Sequence, residues 1–84
     1  MLTCDDIADA EIAVPKAKRN RNGLTTTAWR LQLNDGRWRR LYQNAQGQPC
    51  VPVTRDDLVP VDDDVRHALS AAYAGRLTWG QVVL

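Results

Sequence analysis

The sequence contains no phenylalanine, a single histidine and only two cysteines in 84 residues. Cys4 and Cys50 lie far apart, and neither belongs to a CxxC pair. A structural zinc site needs four ligands at characteristic spacing, so we expect no bound metal and no other cofactor. No run approaches the roughly 18 apolar residues of a membrane-spanning helix, which predicts no membrane association. The acidic N-terminus lacks the basic and apolar regions of a secretory signal, which favours a cytoplasmic protein.

A recognisable set of catalytic residues is also lacking. Asp62, Asp63 and Asp64 precede a helical pattern, where acids are favoured by the positive end of the helix dipole. The Asp-x-Asp-x-Asp-Gly pattern of a calcium loop is absent. His67 and Ser70 fall on the outer face of that predicted helix, without a third group that would activate the hydroxyl. We therefore expect no enzymatic activity.

The charges are unevenly distributed along the chain, although the net charge is only +1. Residues 1–14 carry −4, residues 15–43 carry +7 and residues 44–84 carry −2. A basic middle between acidic ends excludes a uniformly basic coat and permits a local basic patch. The length predicts one small domain over residues 1–84. Residues 16–23 have no apolar period and end in Asn-Gly, which predicts a flexible basic loop.

The stretch 25–53 predicts a three-stranded antiparallel meander. Two alternating runs flank Asp35-Gly36, and a second turn at residues 44–47 leads into a third run. In this third run Cys50 falls on the face opposite Val51, as a half-exposed thiol. Pro52 cannot donate to a ladder, so the third strand is expected at the sheet edge. The predicted fold is α+β, with this meander packed against one C-terminal helix.

The register of the first hairpin decides which residues share a face. A two-residue type I′ turn at Asp35-Gly36 pairs Leu33 with Trp38 and predicts an apolar face comprising Trp29, Leu31, Leu33, Trp38, Arg40 and Tyr42. The opposite face is then polar and comprises Ala28, Arg30, Gln32, Arg39, Leu41 and Gln43. A three-residue loop would set Arg40 opposite Arg30 and mix apolar with polar residues, so the two-residue turn is favoured.

The flanking segments predict the remaining elements. Residues 4–12 predict a short helix, which Thr3 and Asp6 would cap, and the alternative is a short strand over residues 12–14 before Pro15. Residues 54–59 predict a single helical turn. Apolar residues at helical spacing predict a helix from about Asp63 to Ala74, which Gly75 would end with a positive φ. The tail 77–84 is interpreted as either helix or strand, and its last apolar residues would permit a homodimer.

The predicted core combines the apolar face of the meander with residues from the flanking segments. Its members are Ile7, Leu24, Trp29, Leu31, Leu33, Trp38, Tyr42, Val51, Val53, Leu58, Val65, Leu69, Ala72, Tyr73, Leu77 and Trp79.

Arginine near aromatic residues is the feature that bears on function. The candidate binding residues are Lys16, Lys18, Arg19, Arg21, Arg30, Gln32, Arg37, Arg39, Arg40 and Gln43. On the favoured register, part of this set forms a flat polar face without an acid, and its side chains could contact phosphates and base edges. The order of three strands and a packing helix resembles, in architecture, the layout of sheet-in-groove DNA-binding domains such as the arm-site domains of phage integrases. A solvated sheet face without a partner is the plainer interpretation.

A protein is favoured over nucleic acid as the partner. The acids before and after the hairpin would repel a phosphate backbone. Arginine, tryptophan and tyrosine are also the residues that dominate protein interfaces. We expect a small non-enzymatic binding module, of the kind found as protein-binding accessory or inhibitor proteins of phages and mobile elements. Nucleic-acid binding through the arginine-rich face of the hairpin is the alternative.

Overall fold

The computed structural model describes residues 1–14, 23–54 and 56–83. Its elements in chain order are a 3₁₀ turn Cys4–Asp6, strands β1 Ile7–Ile12, β2 Thr25–Leu33, β3 Trp38–Gln43, β4 Pro49–Pro52 and β5 Leu58–Pro60, and helices α1 Asp63–Gly75 and α2 Trp79–Val82. The strands form one antiparallel sheet in the order β1 to β5. The α+β class is confirmed, whereas the prediction of three strands was too low. The predicted loop 16–23 lies, except for Gly23, outside the described residues.

The two additional strands flank the predicted meander. At the N-terminus, Thr3 N–H donates to the Asp6 carboxylate at 2.9 Å and closes the 3₁₀ turn before β1. At the other end, β5 pairs with β4, so the strand that contains Pro52 is not an edge. Leu2 extends this side of the sheet, since its N–H donates to Pro60 O at 2.8 Å and a parallel bridge joins it to Val61.

The first hairpin has a three-residue loop and not the predicted two-residue turn. Gly36 N–H donates to Leu33 O at 2.9 Å and Leu33 N–H donates to Arg37 O at 3.1 Å, which defines a three-residue loop. Gly36 has φ +85°, whereas Asp35 is not among the positive-φ residues that a type I′ turn requires. The second turn has the same geometry, with Gly47 at φ +77°. A one-residue shift moves every side chain of β3 to the other face of the sheet.

The faces of β3 are therefore the reverse of those predicted. Arg30 lies opposite Arg40 and Gln32 lies opposite Trp38 on the outer face, away from the helices. Leu41 points inward and is only 3% exposed, so its predicted place on the polar face is wrong. β1 contains a bulge between Ile7 and Asp9, which turns Ile7 toward the core while Asp9 stays on the outer face opposite Gln32.

The core lies between the inner face of the sheet and the two helices. Its central cluster consists of Ile7, Leu31, Leu33, Leu41, Val51, Val61, Val65, Leu69 and Trp79. Of the predicted core, Leu24, Trp29, Trp38, Tyr42 and Val53 are only half-buried. Leu58, Tyr73 and Leu77 are 43%, 69% and 44% exposed, so these three assignments were wrong. Leu41, Cys50 and Val61 are buried residues that the prediction missed.

Helix α1 is confirmed, with one correction at its end. The Asp62 carboxylate caps it by accepting Val65 N–H at 2.9 Å. The left-handed residue that ends the helix is Arg76, at φ 52°, and not Gly75. A Cβ at Gly75 would lie 3.1 Å from Leu77 Cγ, so a larger residue there would require the Leu77 side chain to shift slightly. The tail forms α2, which buries Trp79 and lets its indole N–H donate to Ile7 O at 3.3 Å.

Candidate functional site

The predicted binding residues do not form one surface. Lys16, Lys18, Arg19 and Arg21 lie outside the described residues. Arg30, Gln32 and Arg40 lie on the outer face of the sheet, whereas Arg39 is opposite Leu31 and belongs to the inner side. Arg37 lies in the first turn and Gln43 at the end of β3, and both are exposed. The acid-free polar face that the sequence predicted is also wrong, because Glu11 of β1 lies directly opposite Arg30.

Five side chains of β2 and β3 share the outer face, and we refer to them as the arginine face: Arg30, Gln32, Trp38, Arg40 and Tyr42. The Arg30 guanidinium carbon lies 4.4 Å from the centroid of the Trp38 ring, in a cation–π contact. The same guanidinium forms an ion pair with Glu11. The side chains of Arg30 and Glu11 are 39% and 44% exposed, so water screens this pair only in part. Arg30 is thus held between an acid and an aromatic ring.

Arg40 has a structural role on the same face. Its guanidinium donates to Ala13 O and, at 3.3 Å, to Thr27 O. These contacts direct Arg40 toward backbone carbonyls, while Arg30 turns to Glu11. The two arginines can therefore lie opposite each other in the ladder, although like charges at opposite positions usually repel.

The side chain of Arg39, a residue of β3, reaches back to the first turn. Its guanidinium contacts the Asp35 carboxylate at 3.1 Å, and that carboxylate also accepts Arg37 N–H at 2.9 Å. The backbone hydrogen bond from Arg37 is the main cause that lowers the pKa of Asp35, and the nearby Arg39 adds to it. Because its pKa is lowered, Asp35 stays ionised and able to pair with Arg39 to lower pH.

A local irregularity in β2 shapes the other side of the sheet. Three residues of β2, Thr27 to Trp29, lie opposite the single residue Leu41 of β3. The Thr27 hydroxyl donates to Leu41 O at 2.6 Å and accepts Trp29 N–H at 3.1 Å, which fixes the bulge. The two strands stay paired on both sides of the bulge, with Thr26 opposite Tyr42 and Arg30 opposite Arg40. Trp29 keeps the inward direction of Leu31 and packs, half-buried, against the edge of the core.

Two grooves meet at Trp29 and Tyr73. The first, which we name the tyrosine groove, lies between α1 and the ends of β2 and β3, and its lining includes Thr27, Trp29, Leu41, Gln43, Pro49, Arg66, Leu69, Ser70 and Tyr73. The second, which we name the edge groove, lies between α1 and β1, and its lining includes Asp9, Ala10, Glu11, Ile12, Trp29, Tyr73, Arg76, Leu77 and Thr78. Tyr73 is 69% exposed and stands between the two. Sequence periodicity assigned Tyr73 to the core, because it continues the apolar stripe of α1.

The two thiols are poorly suited to nucleophilic chemistry. Burial raises the pKa of Cys50, which is 2% exposed. Burial also raises the pKa of Cys4, and the carboxylates of Asp62, Asp64 and Asp5 raise it further. A raised pKa keeps a thiol protonated at neutral pH, and the thiolate is the reactive form. Cys50 is buried rather than half-exposed as the sequence predicted.

Within residues 1–14, 23–54 and 56–83, no three His, Cys, Asp or Glu side chains are grouped as metal ligands. No helix in these ranges is long and apolar enough to cross a membrane. No protein-family model, curated protein or solved structure matches the chain.

Proposed function

We propose that this protein is a small non-enzymatic module that binds another protein through the tyrosine groove. The observation that carries the proposal is the placement of Tyr73, which is 69% exposed beside the half-buried Trp29. An exposed tyrosine next to a tryptophan and a rim of polar groups is the composition of an interface centre. An accessory or inhibitor protein acts by occupying such a contact surface.

The lining of the groove indicates what the partner should offer. Leu69, Pro49 and the Trp29 ring provide an apolar floor, which suits an apolar or aromatic side chain. Ser70 and Arg66 provide hydrogen-bond donors at the rim. Arg66 is held only loosely by Asp63, at 3.7 Å and with 52% of its side chain exposed, so it can turn to a new acceptor. We expect a partner that inserts an apolar side chain flanked by carbonyl or carboxylate oxygens.

Replacement of the exposed tyrosine tests this proposal. Tyr73→Ala removes the central ring, and alanine has the highest helix propensity, so the fold is expected to persist. His67→Ala is the matched control, because His67 is exposed on the same helix and lines neither groove. The tagged wild type and both variants would be compared as bait in nuclease-treated extract of the cells that produce the protein.

We expect one protein to be retained by the wild type and by His67→Ala, and to be lost with Tyr73→Ala. Purified partner would then be titrated by calorimetry, where loss of a hot-spot tyrosine weakens binding by about 30-fold or more, corresponding to at least 2 kcal/mol. Retention that does not depend on Tyr73, or that disappears with nuclease treatment, would refute the proposal.

Nucleic-acid binding by the arginine face is the second candidate. One observation favours it: Trp38, Arg40 and Tyr42 alternate along β3 and therefore share the outer face, an arrangement that can stack single-stranded bases. The Glu11–Arg30 ion pair counts against nucleic-acid binding, because the Arg30 guanidinium that a phosphate would contact is already paired with a carboxylate. A tryptophan-fluorescence titration with single-stranded and duplex DNA and RNA, at about 50 and 200 mM salt, separates the candidates. Binding that weakens steeply with salt would favour the arginine face.

A further inference from the structure

The tyrosine groove and the edge groove share their aromatic residues but differ in charge. Among the described residues that line the tyrosine groove, none is an acid, and Arg66 is the one charged side chain. The edge groove contains the two acids Asp9 and Glu11 in addition to Arg76. A negatively charged group would therefore meet repulsion in the edge groove and attraction in the tyrosine groove.

The position of Arg66 is not explained by the stability of its own helix. α1 begins at Asp63, so Arg66 lies in the first turn, where the positive end of the helix dipole disfavours a cation. Its ion pair with Asp63 spans 3.7 Å, and the two side chains are 52% and 81% exposed. A pair this long and this exposed contributes little to stability. The Arg66 guanidinium can therefore turn to an acceptor outside the chain.

The other acids at the start of α1 do not occupy the groove. The Asp62 carboxylate accepts Val65 N–H at 2.9 Å as the helix cap. Asp64 is two positions from Arg66, and residues two apart on a helix do not face each other. Both carboxylates lie close enough to Cys4 to raise its pKa, which places them toward the 3₁₀ turn. Neither acid lines the tyrosine groove.

Three side chains of α1 form a row along the groove. Arg66, Ser70 and Tyr73 are four and three residues apart, so they lie on one face of the helix. Ser70 is exposed, and its hydroxyl can donate a hydrogen bond next to Arg66. Tyr73 lies about 10 Å from Arg66 along the helix axis, with the apolar floor at Leu69 between them. The row thus offers two donors at one end and an aromatic ring at the other.

We infer that the tyrosine groove takes an acidic segment of the partner protein, in which an aspartate or glutamate pairs with Arg66 and a nearby apolar side chain packs beside Tyr73. The inference rests on the proposed function and assigns the charge of the partner. In an extended segment, residues two apart point to the same side and are about 7 Å apart. This spacing brings the apolar side chain to the floor between Arg66 and Tyr73.

A carboxylate suits Arg66 better than a carbonyl oxygen does. The planar guanidinium forms paired hydrogen bonds with the two oxygens of a carboxylate, and these are stronger than bonds to a neutral acceptor. A partner that covers the groove also removes water from Arg66. Because an unpaired charge in a covered place costs free energy, a partner that brings the opposite charge is favoured.

Matched peptides test the inference on the purified protein. The probes are acetyl-Gly-Glu-Ala-Phe-Gly-amide, its counterpart with Gln in place of Glu, and the same pair with the inner three residues in reverse order. Chemical shifts of the ¹⁵N-labelled protein would be followed by NMR at low salt. We expect a Glu peptide to shift the Ser70 and Tyr73 amides and the Trp29 indole. The Gln counterpart should bind about two- to five-fold more weakly, which is the range of an exposed ion pair.

Two arginine variants of the same helix assign the preference to one residue. Arg66→Gln should bind the Glu peptide no better than the Gln peptide. Arg76→Gln is the matched control, because it removes the same charge from an exposed residue that lines only the edge groove. We expect this variant to keep the preference of the wild type.

Several results would overturn the inference. Equal binding of the Glu and Gln peptides by the wild type would do so, as would a preference that survives Arg66→Gln. Absence of shifts at the groove with every peptide would also overturn it. Shifts of the same amides with protein concentration alone would assign the groove to a second copy of the chain and not to an acidic partner.

The inference and the proposed function fail separately. A partner that is lost with Tyr73→Ala, but that Arg66→Gln binds as tightly as the wild type does, would support the proposed function and overturn this inference. A partner whose affinity falls with Arg66→Gln and is unchanged with Arg76→Gln would support both. If no retained protein depends on Tyr73, the proposed function fails and the inference fails with it.

Discussion

The arginine face and the tyrosine groove both combine aromatic with cationic side chains, but they differ in what those side chains already contact. On the arginine face, Arg30 is paired with Glu11 and stacked on Trp38, and Arg40 donates to two backbone carbonyls. In the tyrosine groove, Tyr73 exposes 69% of its surface. The residues that look most like a binding site in sequence are largely used to hold the hairpin together. The contacts that a side chain already makes within the fold, and not its residue type alone, indicate which surface can bind a partner.

The largest expected effect tests the register on which this comparison depends. Leu41→Ala should destabilise the protein by about 2–5 kcal/mol, because Leu41 is part of the core and a cavity would remain. Trp38→Ala should cost less, because Trp38 is half-buried on the outer face and part of its ring already contacts water. Urea unfolding followed by circular dichroism would measure both free energies of unfolding.

If Trp38→Ala lowered the free energy of unfolding more than Leu41→Ala does, the two-residue turn would be the correct register. It would also move Trp38, Arg40 and Tyr42 to the inner face. The arginine face would then not exist as a surface. Equal m-values in the two variants would show that both report on the same unfolding transition.

The elements with strong local signals were predictable from the sequence. Helix α1 follows from the spacing of Val65, Leu69 and Ala72 with Asp62 before them, and the observed bounds differ little from those predicted. The two turns of the meander follow from their glycines, which adopt positive φ at Gly36 and Gly47. Each of these features depends on residues within a few positions of one another, which is why a single sequence reveals them.

The register and the extra strands were not predictable, because non-local contacts decide them. Leu31 opposite Arg39, and Arg30 opposite Arg40, look unfavourable until Asp35 and Glu11 are seen to pair with those arginines. β1 has no clean alternation, because its bulge lets Ile7 and Asp9 point to opposite faces. β5 has only three residues, and one of them is a proline.

The tyrosine groove was not predictable from the sequence, because non-local contacts form it as well. Tyr73 has the helical spacing of a buried residue. Only the tertiary packing shows that this position of α1 lies outside the buried core. The bulge at Thr27, which places three residues of β2 opposite Leu41, has no local signature in a run of three threonines.

The second-largest expected effect is a loss of stability when the bulge next to Trp29 is disrupted. Thr27→Val keeps the shape of the side chain but removes the hydroxyl that contacts Leu41 O and Trp29 N–H. Because both backbone groups lose a partner in a partly buried place, we expect a loss of about 1–3 kcal/mol. Thr25→Val is the control on the same strand, since Thr25 is exposed. Similar urea midpoints for the two variants would show that the hydroxyl does not fix the bulge.

The smallest expected effect tests whether the arginine face is already satisfied. A double-mutant cycle with Arg30→Met and Glu11→Gln isolates the free energy of the ion pair from other changes. Both side chains are partly exposed, at 39% and 44%, so we expect a coupling of about 0.2–1 kcal/mol at low salt. The coupling should shrink in about 1 M salt, because the screening length falls to roughly 3 Å.

Arg30→Lys sharpens the same test, because lysine keeps the charge but loses the planar group that stacks on Trp38. If Arg30→Lys retains the full coupling to Glu11, the ion pair alone holds the side chain. A coupling near zero at low salt would mean that Glu11 does not occupy the guanidinium. Arg30 would then be as available as Tyr73, and the contrast that favours the tyrosine groove over nucleic-acid binding would be lost.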